Sequence, residues 1–465
     1  MIAEMESLYA RMPRFAQNLA CTCEGARIRI SRYNAEFTRL LVSAEERCTW
    51  PAERIADYRD RLLQAYIRHC IETVPYFRAR CRTWGVDPQC IHGLSDLRTI
   101  PLLKKSEFAR SGSELRSEAV DSSSLLVCHT SGTTGTGLRF QTTRRACQEQ
   151  WAVWWRYRTW HGIALNTKCA YFGGRSIVPT PQNKAPFWRY DHARRHVLFS
   201  GYHMSADRLP DYIGELRRQR APWICGYPSL LTLVANHILE SGADLGYSPR
   251  WVTTLAENLL VSQKATLTKA FGVVPRQHYG MAEGAANFSE CEMGRLHVDE
   301  DFSAVEFIPD PGVDGYQVVG TAFLNPATAF LRYEVGDLIS ASTDQACPCG
   351  RAGRLVEAVD GRLEDYVVRR DGSMVGRMDH IFKDLVNVRE AQIVQEVPGR
   401  ISIRVVRGAG YSDADEKRLR SETIKRLGSE MEIGIQYCEF IPRGRGGKLR
   451  FVVSTLNTSK VNGNR

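Results

Sequence analysis

Apolar residues recur every three or four positions from Pro51 to Thr73, at Ile55, Tyr58, Leu62, Leu63, Tyr66, Ile67, Cys70 and Ile71. That spacing predicts an amphipathic helix, which Pro75 should end. Farther along, short apolar runs at 169–172, 196–199, 223–225 and 251–255 read as strands, and amphipathic stretches near 207–219, 228–241 and 262–271 read as helices between them. Alternation of this kind predicts layered α/β structure. From 303 to 333 the pattern changes to short strands and turns, as in AVEF and YQVVG. A boundary is expected near DGRLED, 360–365. Beyond it the chain reads as a small α+β unit, with an Asp-Gly turn between short strands, a period-two run ISIRVV at 401–406, a helix at 413–427 and two further strands. The expected division is a domain of residues 1–360, helical over 1–120, and a small domain of 361–465.

Composition narrows the class. A chain of 465 residues is too long for one core. Hydrophobic content of 43% and charged content of 25% are those of an ordinary globular protein. No apolar run approaches the ~18 residues that span a bilayer. The N-terminal MIAEMESLYARMPRF carries glutamates and no apolar core, so it is not expected to be a secretory leader. Fourteen cysteines without a disulfide framework point to a reducing, cytoplasmic setting. The net charge of +10 comes from 62 basic residues, of which 11 are lysine and therefore 51 arginine. They are spread along the chain with no basic tail or aromatic-interleaved patch, which argues against nucleic-acid binding.

Candidate chemistry begins at HTSGTTGTGLRF, residues 129–140. A strand-like LLVC enters this Ser/Thr/Gly loop and an extended LRF leaves it. A loop pinned at both ends suits a phosphate cradle of backbone N–H groups and hydroxyls. It is not a G-x-x-x-x-G-K-[ST] loop, and no G-x-G-x-x-G follows a strand. YGMAE, 279–283, places Glu283 just past a tight turn, where one carboxylate could bind Mg²⁺ and leave positions for phosphate and water. RYEVGD, 332–337, ends in Asp337, a residue type that accepts from the vicinal hydroxyls of ribose. GGKLR, 446–450, presents Lys448 after a Gly/Arg-rich loop, where a flexible ammonium can neutralise developing negative charge. Each motif taken singly reads as well as a solvated turn or a hairpin lysine.

In order, however, they resemble the adenylate-forming (acyl-activating) ligase superfamily: the Ser/Thr/Gly loop, Tyr-Gly-x-x-Glu, Arg-Tyr-x-x-Gly-Asp, Gly-Arg-x-x-Asp at 361–365 and a C-terminal Gly-Lys. The likeness covers nearly the whole chain. Within the superfamily, VPYFR (74–78), IPLLKK (100–105), PFWRY (186–190), FSGYH (199–203) and GYPSL (226–230) are similar to phenylacetate–CoA ligase and its capsular-polysaccharide-biosynthesis relatives. The resemblance implies a large N-terminal adenylate-forming domain, with layered α/β subdomains and a β-rich subdomain, and a small mobile α+β C-terminal domain. It implies that Thr130, Ser131, Gly132, Thr133, Thr134 and Gly135 contact phosphate, and that Tyr279, Gly280, Met281 and Ala282 border the nucleoside. It further implies Glu283 on Mg²⁺, Asp337 and Arg362 on ribose, Glu364 as the hinge, and Lys448 between the carboxylate and the α-phosphate. Thr136 departs from the lysine that many relatives carry in the loop. Trp155, Tyr202, Tyr227, Pro228 and Glu257 lie in segments that border the acid pocket in similar enzymes.

Cys291, His297, Cys347 and Cys349 form a separate constellation. Three thiolates and an imidazole fit a closed, tetrahedral structural Zn²⁺ site, although fourteen cysteines also cluster by accident. Similar Cys/His patterns in phenylacetate-ligase relatives favour the zinc reading. The function expected is ATP-dependent activation of a small carboxylic acid as its acyl-adenylate, followed by transfer to a thiol, first of all that of coenzyme A. Transfer to an amine or to a carrier-protein thiol is the alternative, and a non-catalytic nucleotide-binding relative is the second. A homodimer is left open.

Overall fold

The computed structural model describes residues 8–130, 138–179, 181–309, 315–344, 346–362, 367–371, 374–375, 378, 381, 387–408, 410–443 and 449–456. The chain divides into two compact units, both discontinuous in sequence: Met1–Arg27 with Asn166–Arg276 and Asp360–Arg465, and Ile28–Leu165 with Gln277–Val359.

In the first unit, strands Trp251–Leu255, Trp223–Gly226, Cys169–Gly173 and His196–Ser200 lie side by side and parallel, and Trp188–Asp191 pairs antiparallel at the edge. Trp223–Gly226 is buried along its whole length, as a covered parallel strand must be, which is why it reads as a continuous apolar run rather than an alternation. Helix Leu209–Gln219 leads from His196–Ser200 to Trp223–Gly226, helix Pro228–Ser241 leads on to Trp251–Leu255, and helix Val261–Phe271 follows that strand. These strands and helices fall where the hydrophobic pattern places them. Phe172 stacks on Phe199 at 4.4 Å, and Tyr212, Leu230, Leu231 and Val234 pack around them.

The C-terminal segment of this unit is the expected α+β assembly. Strands Glu432–Tyr437, Arg400–Arg407, Val388–Val397 and Val452–Ser454 form one sheet in that order, and Val367–Val368 pairs with Met374–Val375 as the Asp-Gly hairpin. Arg400–Arg407 alternates, burying Ile401, Ile403 and Val405 against Leu419 of the helix Asp413–Leu427.

In the second unit, helix Ala52–Thr73 buries Ile55, Leu63, Tyr66, Ile67 and Cys70 on one face. Pro75 ends it and also opens the next helix, Pro75–Trp84, because proline's fixed φ and missing N–H suit a first helical position. Strands Ala304–Pro309, Tyr316–Thr321 and Tyr333–Ala341 pair antiparallel, as do Arg276–Gly280, Asn287–Glu290 and Leu296–Val298. A core of Tyr66, Phe77, Phe108, Phe140, Phe330 and Tyr333 ties helices to strands, with Phe108 stacked on Phe330 at 4.7 Å. No described helix is long and apolar enough to cross a membrane.

Candidate functional site: a Ser/Thr/Gly hairpin, the YGMAE turn and a thiol–imidazole cluster

The Ser/Thr/Gly loop leaves a hairpin whose arms are Leu126–His129 and Arg139–Thr142, paired antiparallel from Leu126↔Thr142 to His129↔Arg139. Its neck is closed twice, by Thr130 N–H on Leu138 O at 2.9 Å and by Leu138 N–H on the Thr130 hydroxyl at 2.8 Å. Ser131, Gly132, Thr133, Thr134 and Gly135 lie outside the described residues. The pinning of both ends, expected from the flanking apolar residues, is therefore explicit at the neck.

YGMAE starts at the end of strand Arg276–Gly280 and turns back into Asn287–Glu290. The Tyr279 hydroxyl donates to Asp337 Oδ2 at 2.6 Å, and its ring stacks on Phe288 at 4.6 Å. Two motifs 58 residues apart in sequence thus meet through one hydrogen bond. The turn is held from behind by helix Arg144–Trp160. Gln150 Nε2 donates to Met281 O at 2.6 Å, and Trp154 Nε1 donates to Asn287 Oδ1 at 2.8 Å. A Cβ on Gly280 would come within 2.6 Å of that Asn287 oxygen, so only glycine allows the approach. Gly284 closes the turn at φ +69°, where glycine is again favoured. Ala282 is exposed and Glu283 half-buried. Burial pushes the Cys128 thiol up, with smaller contributions from the Cys147 thiol and the Glu283 charge. A half-buried carboxylate such as Glu283 is a donor type Mg²⁺ takes from protein while phosphate and water fill its other positions.

Behind these motifs lies a buried ionic network. Arg156 reaches Asp299 at 2.6 Å and Asp301 at 2.7 Å, and Asp301 also meets Arg47 at 2.5 Å. Asp299 Oδ2 accepts from Ser289 at 2.7 Å and from Asn287 Nδ2. Helix Arg144–Trp160 is thereby tied to the strand after YGMAE. No motif marks Gln150, Arg156, Asn287 or Asp299. The one sequence signal is an arginine set between Trp155 and Tyr157 in a helix that carries four tryptophans.

Four of the residues expected near the acid come together in the first unit. Tyr227 precedes the helix opened by Pro228, and burial followed by the nearby Glu257 charge pushes its phenol up. Tyr202 contributes to the same shift and donates to Gly174 O at 3.0 Å. Trp155 belongs to the second unit, where it is 5% exposed and packs edge-on against Tyr33 at 6.1 Å. Both oxygens of Glu257 accept backbone N–H groups, from Ser229 at 3.1 Å and from Leu449 at 3.0 Å. The side chain of Arg362, Glu364 and Lys448 lie outside the described residues.

The thiols and imidazole converge as the zinc reading requires. The ligand atoms of Cys291, His297, Cys347 and Cys349 all lie within 4.8 Å of one another. Cys291 Sγ is 3.7 Å from Cys347 Sγ, and Cys349 Sγ is 3.4 Å from His297 Nε2. Zn–S bonds of ~2.3 Å and Zn–N bonds of ~2.1 Å at tetrahedral angles imply separations of about 3.8 and 3.6 Å, so these contacts fit a shared ion. His297 Nδ1 faces Ala352 O at 3.3 Å, which assigns the proton to Nδ1 and leaves Nε2 as the donor. Burial holds His297 below its ordinary value and therefore neutral.

Comparison with known proteins places these features in context. Residues 367–455 match the CapK C-terminal domain. The chain is 24% identical over 373 residues to Protein CapK of Staphylococcus aureus, covering 78% of this chain and 81% of that protein. It is 26% identical over 349 residues to phenylacetate-coenzyme A ligase of Thermus thermophilus, covering 69% of this chain and 73% of that one. Among solved structures, 2-hydroxyisobutyryl-CoA ligase in the postadenylation state superposes with a TM-score of 0.67 at 18% identity, over 88% of this chain and 91% of the other. The chain is thus a relative of CapK and of phenylacetate-CoA ligase, ends in a CapK C-terminal domain, and has the fold of the adenylate-forming ligases.

Proposed function

We propose that the protein is an ATP-dependent carboxylate-activating ligase. A carboxylate oxygen of a small organic acid attacks the α-phosphorus of ATP in line, forming acyl-adenylate and releasing pyrophosphate. A nucleophile then takes the acyl group and releases AMP. The observation that carries the reading is the Tyr279–Asp337 hydrogen bond, which joins the two motifs expected to hold one nucleoside. The closed neck of the Ser/Thr/Gly hairpin supports it, since a loop anchored at Thr130 and Leu138 can order its N–H groups around phosphate. Glu283 would hold Mg²⁺, which neutralises phosphate charge, and Lys448, on a lobe of residues 361–465 that turns about Glu364, would neutralise the charge developing between carboxylate and α-phosphate.

Coenzyme A is the proposed acceptor, because two of the compared proteins are CoA ligases by name. The test is pyrophosphate–ATP exchange with phenylacetate, butyrate and alanine as representatives of three acid classes. Exchange with one class and a hydroxylamine-sensitive product with CoA are expected. A hydroxylamine-stable amide would shift the acceptor to an amine, and no exchange with any acid would leave a nucleotide-binding scaffold. Lys448→Ala should slow exchange by about 10²–10³-fold, as loss of a preorganised charge does. An unchanged rate would remove Lys448 from its role.

We further propose that Cys291, His297, Cys347 and Cys349 hold one structural Zn²⁺, because their separations and the His297–Ala352 contact match a tetrahedral site with its orienting carbonyl. Four protein ligands leave no open position, so such an ion would brace the chain and do no chemistry. All fourteen cysteines are free thiols, in keeping with a reducing, cytoplasmic setting.

A further inference from the structure

Over residues 14–27, helix Arg14–Arg32 packs with its polarity reversed. A surface helix in water turns its apolar stripe to the core and its polar face outward. Here the side against the protein is polar. The buried Gln17 accepts through Oε1 from Arg189 Nε at 2.6 Å, and its Nε2 donates to Tyr9 O and Met12 O, which ties the preceding turn to the helix. Asn18 Oδ1 accepts the N–H of Tyr190 at 3.1 Å, and the Thr22 hydroxyl donates to Tyr190 O at 3.3 Å. Gly25 completes the contact, because a Cβ there would strike the Asp191 carboxylate. This stretch is therefore held on strand Trp188–Asp191 by hydrogen bonds rather than by apolar burial.

Its large apolar residues face away. Phe15 is 75% exposed, Leu19, one turn on, is 61% exposed, and Leu8 in the preceding turn is 60% exposed. A single exposed apolar side chain needs no explanation, but the rest of this face is selective. Nine residues from 8 to 27 are exposed: five are apolar, one is Cys23, and the others are Arg11, Arg14 and Arg27. None is acidic, and none carries a hydroxyl or an amide. The one acid of the stretch, Glu24, is half-buried and paired with Arg27 at 2.7 Å. Phenylalanine and leucine bordered by arginine is the composition of a helix that lies in a bilayer interface, with its apolar side chains at the acyl boundary and its guanidinium groups among anionic headgroups. A second copy of the chain fits the face less well. Two such faces laid together would bring three arginines from each side into one contact, with only the already paired Glu24 to answer them, whereas anionic lipid supplies the opposite charge.

We propose that the outward face of residues 8–27 is a peripheral docking surface for an anionic phospholipid bilayer, with Phe15 and Leu19 inserted at the headgroup–acyl boundary and Arg11, Arg14 and Arg27 against headgroup phosphates. The surface does not depend on which acid, if any, the protein activates.

The test is sedimentation of the full-length protein with vesicles of phosphatidylcholine alone and of phosphatidylcholine with about one-third phosphatidylglycerol. Wild type should bind the mixed vesicles at about 0.1 M salt and the neutral ones about 100-fold more weakly, since each arginine at an anionic surface contributes about five-fold. Most of the bound protein should be released at about 1 M salt, where charges are screened beyond about 3 Å. The double change Phe15→Ser and Leu19→Ser alters two exposed side chains and should weaken binding to mixed vesicles at least about 30-fold at an unchanged thermal midpoint. Arg11→Gln with Arg14→Gln should weaken it about 25-fold and leave the weak binding to neutral vesicles as it was. Equal affinity for both vesicle types, or affinity that the serine pair does not reduce, would overturn the proposal, and so would a wild type that binds neither. Sedimentation velocity addresses the rival occupant: a dimer that the serine pair dissociates would overturn the proposal in favour of an interface between copies. Should the serine pair lower the thermal midpoint, the neutral-lipid and salt comparisons on wild type still decide the matter.

Discussion

His278, one residue before Tyr279, carries its imidazole neutral. Burial, reinforced by the Arg158 charge, pushes it down to about 3, and its Nε2 has no contact with solvent although the ring keeps some exposed edge. An unfolded chain takes up this proton near pH 6.5, whereas the folded chain refuses it. Stability is therefore full above about pH 6.5 and declines as pH falls toward 3, by up to about 1.4 kcal/mol per pH unit for one proton. His278→Phe, which keeps a ring against Trp154 and Tyr157, should flatten urea midpoints between about pH 6.5 and 5 by up to that one-proton slope. An unaltered slope would mean that another group titrates there. At this scale Tyr279 and Asp337, each picked from its own motif, are joined by a hydrogen bond at 2.6 Å. Gln150 and Asn287 were not legible in the sequence, because an amide that holds a backbone carbonyl or an indole N–H leaves no pattern until its partner is known.

Helix Arg144–Trp160 shows how an element can serve a site that it does not line. One face carries Gln150 and Trp154 to the YGMAE turn, and Arg156 fastens the helix to Asp299 and Asp301. Arg156 is 3% exposed, and burial pushes the carboxyl of Asp299 up against the opposing pull of the Arg156 charge. Arg156→Met should cost about 3–5 kcal/mol in urea unfolding at pH 7, since it leaves a carboxylate buried without its cation. The loss should shrink as pH is lowered, because burial favours the protonated form of that carboxyl. A pH-independent loss would indicate lost packing instead. Helix and strand positions were readable from periodicity, down to Leu209–Gln219 and Asp413–Leu427, because each buries one face. The antiparallel pairing that sets Cys291 beside Cys347 was not, since register depends on partner strands far away in sequence.

At the level of the whole molecule the chain enters each of its two compact units more than once, and the thiol–imidazole cluster joins stretches of the second unit around positions 291–297 and 347–349. Elemental analysis of chelator-washed protein should find about one zinc per chain. Stripping it under denaturing-free conditions, or Cys349→Ser, should lower the melting midpoint by at least about 5 °C, because metal binding free energy is folding free energy. Absence of zinc from well-folded protein would end the assignment. Residue types and periodicity were enough to pick out four Cys/His positions that the fold brings within 4.8 Å of one another and a C-terminal α+β segment, since few side chains bear thiolate or imidazole and the strand and helix periods are local. Where Glu257 would point was beyond that reach. Its carboxylate bridges Ser229 and Leu449, 28 residues before it and 192 after it, and such a contact arises only when folded elements bring two unpaired N–H groups to the same oxygens.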